Sequence, residues 1–107
     1  MWVSNHGGRQ FDGTVGAIDA LGPIVEQLDG TAKVFFDSGI RDGLDIARAL
    51  ALGADFCFAG RPFMFGLGAL GDAGASHAYD ILADGLINSF HQLGIERTEQ
   101  LSERLVR

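Results

Sequence analysis

A histidine and an arginine stand three residues apart in the run Ser4-Asn5-His6-Gly7-Gly8-Arg9-Gln10, with two glycines between them. A neutral imidazole can accept a proton near pH 7. A guanidinium stays charged, and its planar fork matches a carboxylate in two hydrogen bonds. His6 and Arg9 together therefore suit a small hydroxy-carboxylic acid, one group taking a proton while the other clamps the anion. The glycines let backbone approach a ligand closely and supply positive φ where a turn needs it. As a bare pattern the run is also compatible with an ordinary loop. Its position directly after the apolar Met1-Trp2-Val3, which reads as the end of a strand, favours a site.

A second constellation is Asp37-Ser38-Gly39-Ile40-Arg41, with Gly43 just beyond, and it is followed further along by Gly60-Arg61. Small residues in a tight turn present successive backbone N–H groups, and a helix that starts there adds its positive end. Each loop also contributes an arginine. This is the composition of a phosphate cradle. In an α/β barrel the phosphate sits between the loops after the last two strands. Two surface turns with unrelated arginines are the bland alternative, and their pairing after two successive strands argues against it.

The elements that must position these loops can be read from the hydrophobic spacing. Ile18, Leu21, Ile24, Val25 and Leu28 recur at helical intervals, which predicts a helix over Ala17 to Leu28, with Pro23 marking the first turn of its main part. Lys33 to Phe36 predicts a strand ending at Asp37-Ser38-Gly39, and a helix follows from Asp42 or Gly43 to Leu52. Asp55 to Ala59 predicts a second apolar strand, stopped by Gly60-Arg61-Pro62. After a glycine-rich stretch from Gly66 to Gly74, an apolar stripe predicts a long helix from about Ala75 to Leu93. Thr98 is the expected cap of a last short helix with Leu101 and Leu105 facing inward. Apolar strands separated by helices give an α/β class with a parallel sheet and right-handed crossovers.

Composition narrows the function classes. The chain has 107 residues, 47% hydrophobic and 21% charged, which is the make-up of a packed core former. A barrel of eight strands needs ~250 residues. The formal charge of -6 and the lack of any basic run make nucleic acid an unsuitable partner. The single cysteine, Cys57, cannot form an internal disulfide and reads as a small buried hydrophobe, in keeping with a reducing cytoplasm. No signal peptide and no apolar run of the ~18 residues needed to span a membrane is expected.

Val3 to Gln10, Asp37 to Arg41, Ala49 to Asp55 and Gly60-Arg61-Pro62 resemble, in order, the FMN-dependent 2-hydroxy-acid dehydrogenases and oxidases, which include L-lactate dehydrogenase, glycolate oxidase and lactate oxidase. The resemblance implies that residues 1–107 are the C-terminal part of such a domain, from the end of strand 6 to helix 8 of a TIM (β/α)8 barrel. It implies oxidation of a small (S)-2-hydroxy acid, of L-lactate or glycolate type, to the 2-oxo acid. His6 would contact the substrate and accept its proton, and Arg9 would bind its carboxylate. Ser4 would lie near the flavin. Asp37, Ser38, Gly39, Ile40, Arg41, Gly60 and Arg61 would hold the ribityl and phosphate part of FMN. The isoalloxazine would accept the electrons. Homo-oligomers and a cytoplasmic location peripheral to the inner membrane are also family expectations.

The family pattern needs a lysine near the flavin, substrate-contacting tyrosines and an aspartate that orients the histidine, all from earlier strands absent from this chain. The chain alone is therefore expected to be inactive, with the missing N-terminal barrel half as its partner and with strand edges that favour self-association. The alternative is a non-catalytic FMN- or phosphate-binding half-barrel that needs a partner chain. His77 and His91 lack a third ligand at zinc spacing and are expected on a helix surface or packing seam. Phe63, Met64 and Phe65 are expected in a core or helix seam rather than at a cofactor. The glycines from Gly66 to Gly74 follow no strand directly, so no dinucleotide site is indicated.

Overall fold

The computed structural model describes residues 1–106. Three short strands, β1 (Trp2–Val3), β2 (Phe35–Phe36) and β3 (Phe56–Cys57), form a parallel sheet in the order β1-β2-β3. Trp2, Phe35 and Phe56 are in register, as are Val3, Phe36 and Cys57. The ladder reaches past these bounds, because Asp37 N donates to Val3 O at 3.1 Å and Phe58 N to Phe36 O at 2.8 Å. α1 (Ala17–Leu28) joins β1 to β2, and α2 (Gly43–Ala51) joins β2 to β3. α3 (Arg61–Leu70), α4 (Gly74–Leu93) and a 3-10 helix (Thr98–Arg104) follow. The expected α/β unit of parallel strands and crossover helices is present.

One face of the sheet is packed. Val3 and Phe36 point into a core with Leu21, Ile40, Ala49 and Leu82, all nearly excluded from water. The opposite face carries Trp2, Phe35, Phe56 and Phe58, each between 37% and 56% exposed. Alternation along a strand sends neighbouring side chains to opposite faces, and here helices cover only one of them. The four rings pack on one another instead: Trp2 stacks on Phe58 with centroids 4.6 Å apart, and Phe35 meets Phe56 edge-on at 6.4 Å. Beneath the ladder, Lys33 Nζ and Asp55 Oδ1 pair at 2.7 Å, and Val34 N donates to the other carboxylate oxygen. Those contacts, with the Lys33 bond the largest, hold the Asp55 carboxyl below its ordinary pKa.

Glycines set the helix crossings. A Cβ on Gly43 would lie 1.9 Å from Leu86 N, and one on Gly74 would lie 2.0 Å from Gly66 O. Only hydrogen at these positions lets α2 and α3 sit this close to α4. The glycine-rich stretch expected to interrupt regular structure is thus mostly helix, since α3 runs through Gly66 and Gly68 to Leu70. Packing against α4 outweighs the weak helix propensity of those residues.

Pro23 also departs from expectation. α1 begins at Ala17, where Asp19 N and Ala20 N donate to Gly16 O, and Pro23 lies inside the helix on its exposed side. The Asp19 carbonyl loses an intrahelical donor, but the stripe of Ala17, Leu21 and Val25 against the sheet carries the helix through. At the last helix the Thr98 hydroxyl makes no cap. Gln100 Oε1 instead accepts from Glu96 N and Arg97 N, each at 3.0 Å, while Leu101 is buried and Leu105 half-buried. Cys57 is half-buried, and burial pushes its thiol up to about 11. Among the described residues no helix is long and apolar enough to cross a membrane.

Candidate functional site

Parallel strands end on one side of a sheet, so the loops that leave them gather there. The C-terminal ends of β1, β2 and β3 border a cleft of about 620 Å³. Ser4, His6, Arg9, Asp37, Ser38, Gly39, Ile40, Arg41, Gly60 and Arg61 all line it. Residues separated by more than fifty positions in the chain are brought together solely by the register of three strands.

The loop after β1 has an unusual backbone. His6, Gly7 and Gly8 have φ of 57°, 64° and 69°, three left-handed residues in succession. This is free for glycine and costs an L residue such as His6 about 1 kcal/mol or more. Tertiary bonds hold it. His6 N donates to Ser4 Oγ at 3.0 Å, and the amides of Asn5 and Gly7 donate to Ser38 Oγ at 3.3 and 3.2 Å. From the other side, the Arg61 guanidinium donates to Gly7 O at 2.9 Å. A side chain on Gly7 would meet that guanidinium 3.1 Å away and push it aside by a few tenths of an ångström, and the positive φ itself favours glycine there. The His6 imidazole and the Arg9 guanidinium are exposed and have no hydrogen-bond partner among the described residues. Asn5 Oδ1 is buried without a donor among them.

Asp37 anchors the site. Its carboxylate accepts from Ser4 Oγ at 2.5 Å, from Ser38 Oγ at 2.7 Å and from the Trp2 indole N–H at 2.8 Å. Partial burial opposes ionisation, but those three hydrogen bonds, with His6 nearby, outweigh it and hold the carboxyl below its ordinary pKa. It is ionised at neutral pH. Trp2 gave no signal in the sequence beyond an apolar strand residue, and only the pairing of β1 with β2 brings its indole to Asp37.

The two glycine loops have the features of an anion site. Asp42 caps α2 through a reciprocal pair with Asp45, the Asp45 amide donating to Asp42 Oδ1 at 2.9 Å. Asp45 Oδ2 also accepts from Arg41 N at 3.0 Å, which fixes the turn into the helix. The amides of Gly39, Ile40, Gly60 and Arg61 find no acceptor among the described residues. A Cβ on Gly39 or Gly60 would meet no atom within 4 Å, so the backbone there borders open space. Two arginines and free amides at two helix starts suit the phosphate end of a nucleotide cofactor. Ile40 contributes only backbone, because its side chain is 3% exposed in the core.

Met64 and Phe65 do not lie in a helix seam as expected. They are 68% and 63% exposed and form a wall of the cleft, whereas Phe63 packs on the core. The turn at Gly60-Arg61 starts α3 directly at the cleft, which aims these two positions of its first turn at the opening. His77 and His91 are exposed on α4, and the described residues contain no metal-binding cluster of His, Cys, Asp or Glu.

Known proteins are similar to this chain in sequence and fold. The L-lactate oxidase of Nostoc sp. is 43% identical over 99 residues, which is 92% of this chain and 27% of that protein. Human 2-hydroxyacid oxidase 1 is 41% identical over 98% of the chain and 28% of its own length. The L-lactate dehydrogenase of Haemophilus influenzae is 53% identical over 74% of the chain and 21% of its own length. A crystal structure of mandelate oxidase with (S)-4-hydroxymandelic acid superimposes with a TM-score of 0.88 at 41% identity, covering 94% of this chain and 28% of that one. The chain thus spans between about a fifth and somewhat over a quarter of the length of these relatives. The FMN-dependent dehydrogenase family model matches residues 1–107. A cleft in which a histidine and an arginine meet two phosphate-type loops, and a match over the whole length, place the chain in one group: it belongs to the FMN-dependent dehydrogenase family.

Proposed function

We propose that this chain supplies the phosphate-binding and proton-accepting end of a TIM (β/α)8 barrel that oxidises a small (S)-2-hydroxy acid, of L-lactate or glycolate type, to the 2-oxo acid. The carrying observation is that His6 and Arg9 leave the end of β1 into the same cleft as the loops after β2 and β3. Gly39, Ile40, Arg41, Gly60 and Arg61 would hold the FMN phosphate, with Ser4, Asp37 and Ser38 beside its ribityl chain. FMN supplies the electron-accepting ring. The Arg9 guanidinium, without a hydrogen-bond partner among the described residues, binds the substrate carboxylate. His6 takes the proton released on oxidation at its imidazole.

The chain on its own is inactive in this reading. No carboxylate hydrogen-bonds the His6 ring among the described residues, since Asp37 is engaged by Ser4, Ser38 and Trp2. Such a partner sets the tautomer of a catalytic histidine and stabilises its charged form. The bare aromatic face of Trp2, Phe35, Phe56 and Phe58 favours a complement of further strands against it.

The test is a chimera in which this chain replaces the matching segment of the Nostoc L-lactate oxidase. A yellow protein that oxidises L-lactate or glycolate, and loses that activity in His6→Gln, supports the proposal. A chimera that folds without binding flavin, or a His6→Gln variant that keeps its turnover, rejects it. The same bare face and the two glycine loops with their arginines also support a second reading, a non-catalytic half-barrel that binds FMN with a partner chain. There the isolated chain binds FMN and the chimera never turns over.

A further inference from the structure

The Ser38 hydroxyl stands in an unusual balance of cost and use. Its residue has φ of 86°, a conformation L side chains avoid and glycine takes freely. The hydroxyl has one donor and two acceptor places, and all three are filled. It donates to Asp37 Oδ1 at 2.7 Å and accepts from Asn5 N at 3.3 Å and Gly7 N at 3.2 Å. Ser4 Oγ repeats the arrangement, donating to the same Asp37 oxygen and accepting from His6 N at 3.0 Å. Amides of three successive residues therefore converge on two hydroxyls whose hydrogens are both directed by one carboxylate. Convergent amides of this kind form a concavity suited to an electron-rich atom. Here that atom is supplied by the chain itself.

We propose that Ser38 is a positioning residue for His6: its hydroxyl pins the strained loop after β1 and sets that loop and the phosphate loop as one unit. Without the hydroxyl, Asn5 and Gly7 lose their acceptor, and the left-handed run through His6 is left with the Ser4 bond, the turn bonds from Gly8 N to Asn5 O and from Arg9 N to His6 O, and the Arg61 contact. The imidazole then samples orientations unsuited to a substrate held by Arg9, while the cradle amides of Gly39 and Ile40 are unaffected. The role rests on the reading of His6 as proton acceptor.

Ser38→Ala and Ser38→Gly are compared with the parent in the flavin-loaded chimera with the Nostoc L-lactate oxidase. Glycine relieves the positive φ and keeps the variant foldable, so a role of backbone strain and a role of the hydroxyl separate. The expected result is hydrogen exchange at the Asn5 and Gly7 amides faster by about tenfold or more in both variants, with the Asp55 and Phe58 amides of the sheet unchanged. Turnover measured at saturating FMN falls by about tenfold or more in both, beyond any loss of flavin affinity, as misplaced reacting groups predict. Unchanged exchange at Asn5 and Gly7 overturns the clamp, and so does full turnover in Ser38→Gly. Loss of flavin affinity without a change in exchange makes Ser38 a cofactor contact only. A parent protein that binds flavin but oxidises no hydroxy acid overturns the reading of His6, and the amide exchange still decides the clamp separately.

Discussion

Gly43→Ala adds a single methyl group where α2 meets α4, and its effect can be worked from the packing. The new Cβ would lie 1.9 Å from Leu86 N and 2.2 Å from the Gly85 carbonyl carbon. Ordinary contacts between such atoms are about 3.5 Å, so the helices must part by about 1.6 Å. The obstacle is backbone on a second helix, which cannot rotate away as a side chain can. Overpacking of this kind costs about 1–3 kcal/mol, and the upper end is expected here. The control is Gly68→Ala, the same chemical change on exposed α3, where a Cβ meets nothing within 4 Å. Higher helix propensity should there give a gain of up to about 1 kcal/mol. Urea unfolding of the flavin-bound chimera, followed by circular dichroism, reads both. Because Gly43 opens α2 at the phosphate cradle, Gly43→Ala should also weaken FMN binding. Equal stability of Gly43→Ala and parent, or a loss in Gly68→Ala as large as in Gly43→Ala, refutes the close-crossing explanation.

Arg61→Met removes both a cradle cation and the donor to Gly7 O, so FMN affinity in the chimera should fall by about tenfold or more, measured by flavin fluorescence titration. Asp37→Asn replaces one acceptor oxygen by a donor and leaves the Trp2 indole, Ser4 or Ser38 unmatched; a loss of about 1–2 kcal/mol in urea unfolding is expected, with altered emission from the single tryptophan. The lowered Asp37 pKa adds stability that is present above the unfolded carboxyl value near ~4 and is lost as pH falls through the lower folded value, so the parent should lose stability on acidification where Asp37→Asn does not. With its thiol pushed up to about 11, Cys57 should resist iodoacetamide at pH 8 in the folded protein and react on unfolding; rapid labelling of the native protein would contradict its burial.

Much of the candidate site was legible because it is local. His6 and Arg9 share a loop, Asp37 to Arg41 form one turn, and strand-then-glycine patterns located both. The α/β class followed from apolar runs whose spacing changes between strand and helix. Local patterns failed where packing decided the outcome. Pro23 read as a first turn and the glycines of α3 as a break, yet helices run through both because apolar stripes and a close crossing with α4 outweigh propensity. Met64 and Phe65 read as core because their hydrophobicity says nothing of the direction in which a helix turn aims them.

The sequence by itself determined which groups could accept a proton, clamp a carboxylate and cradle a phosphate, since those abilities belong to side chains and to short turns. Only the tertiary structure decided that they border one cleft. Parallel pairing of β1, β2 and β3 sets Asp37 under Trp2 and Ser4, and swings Arg61 onto the Gly7 carbonyl. These contacts join residues far apart in the chain, and no periodicity or motif encodes a register between strands that only a packed sheet can fix.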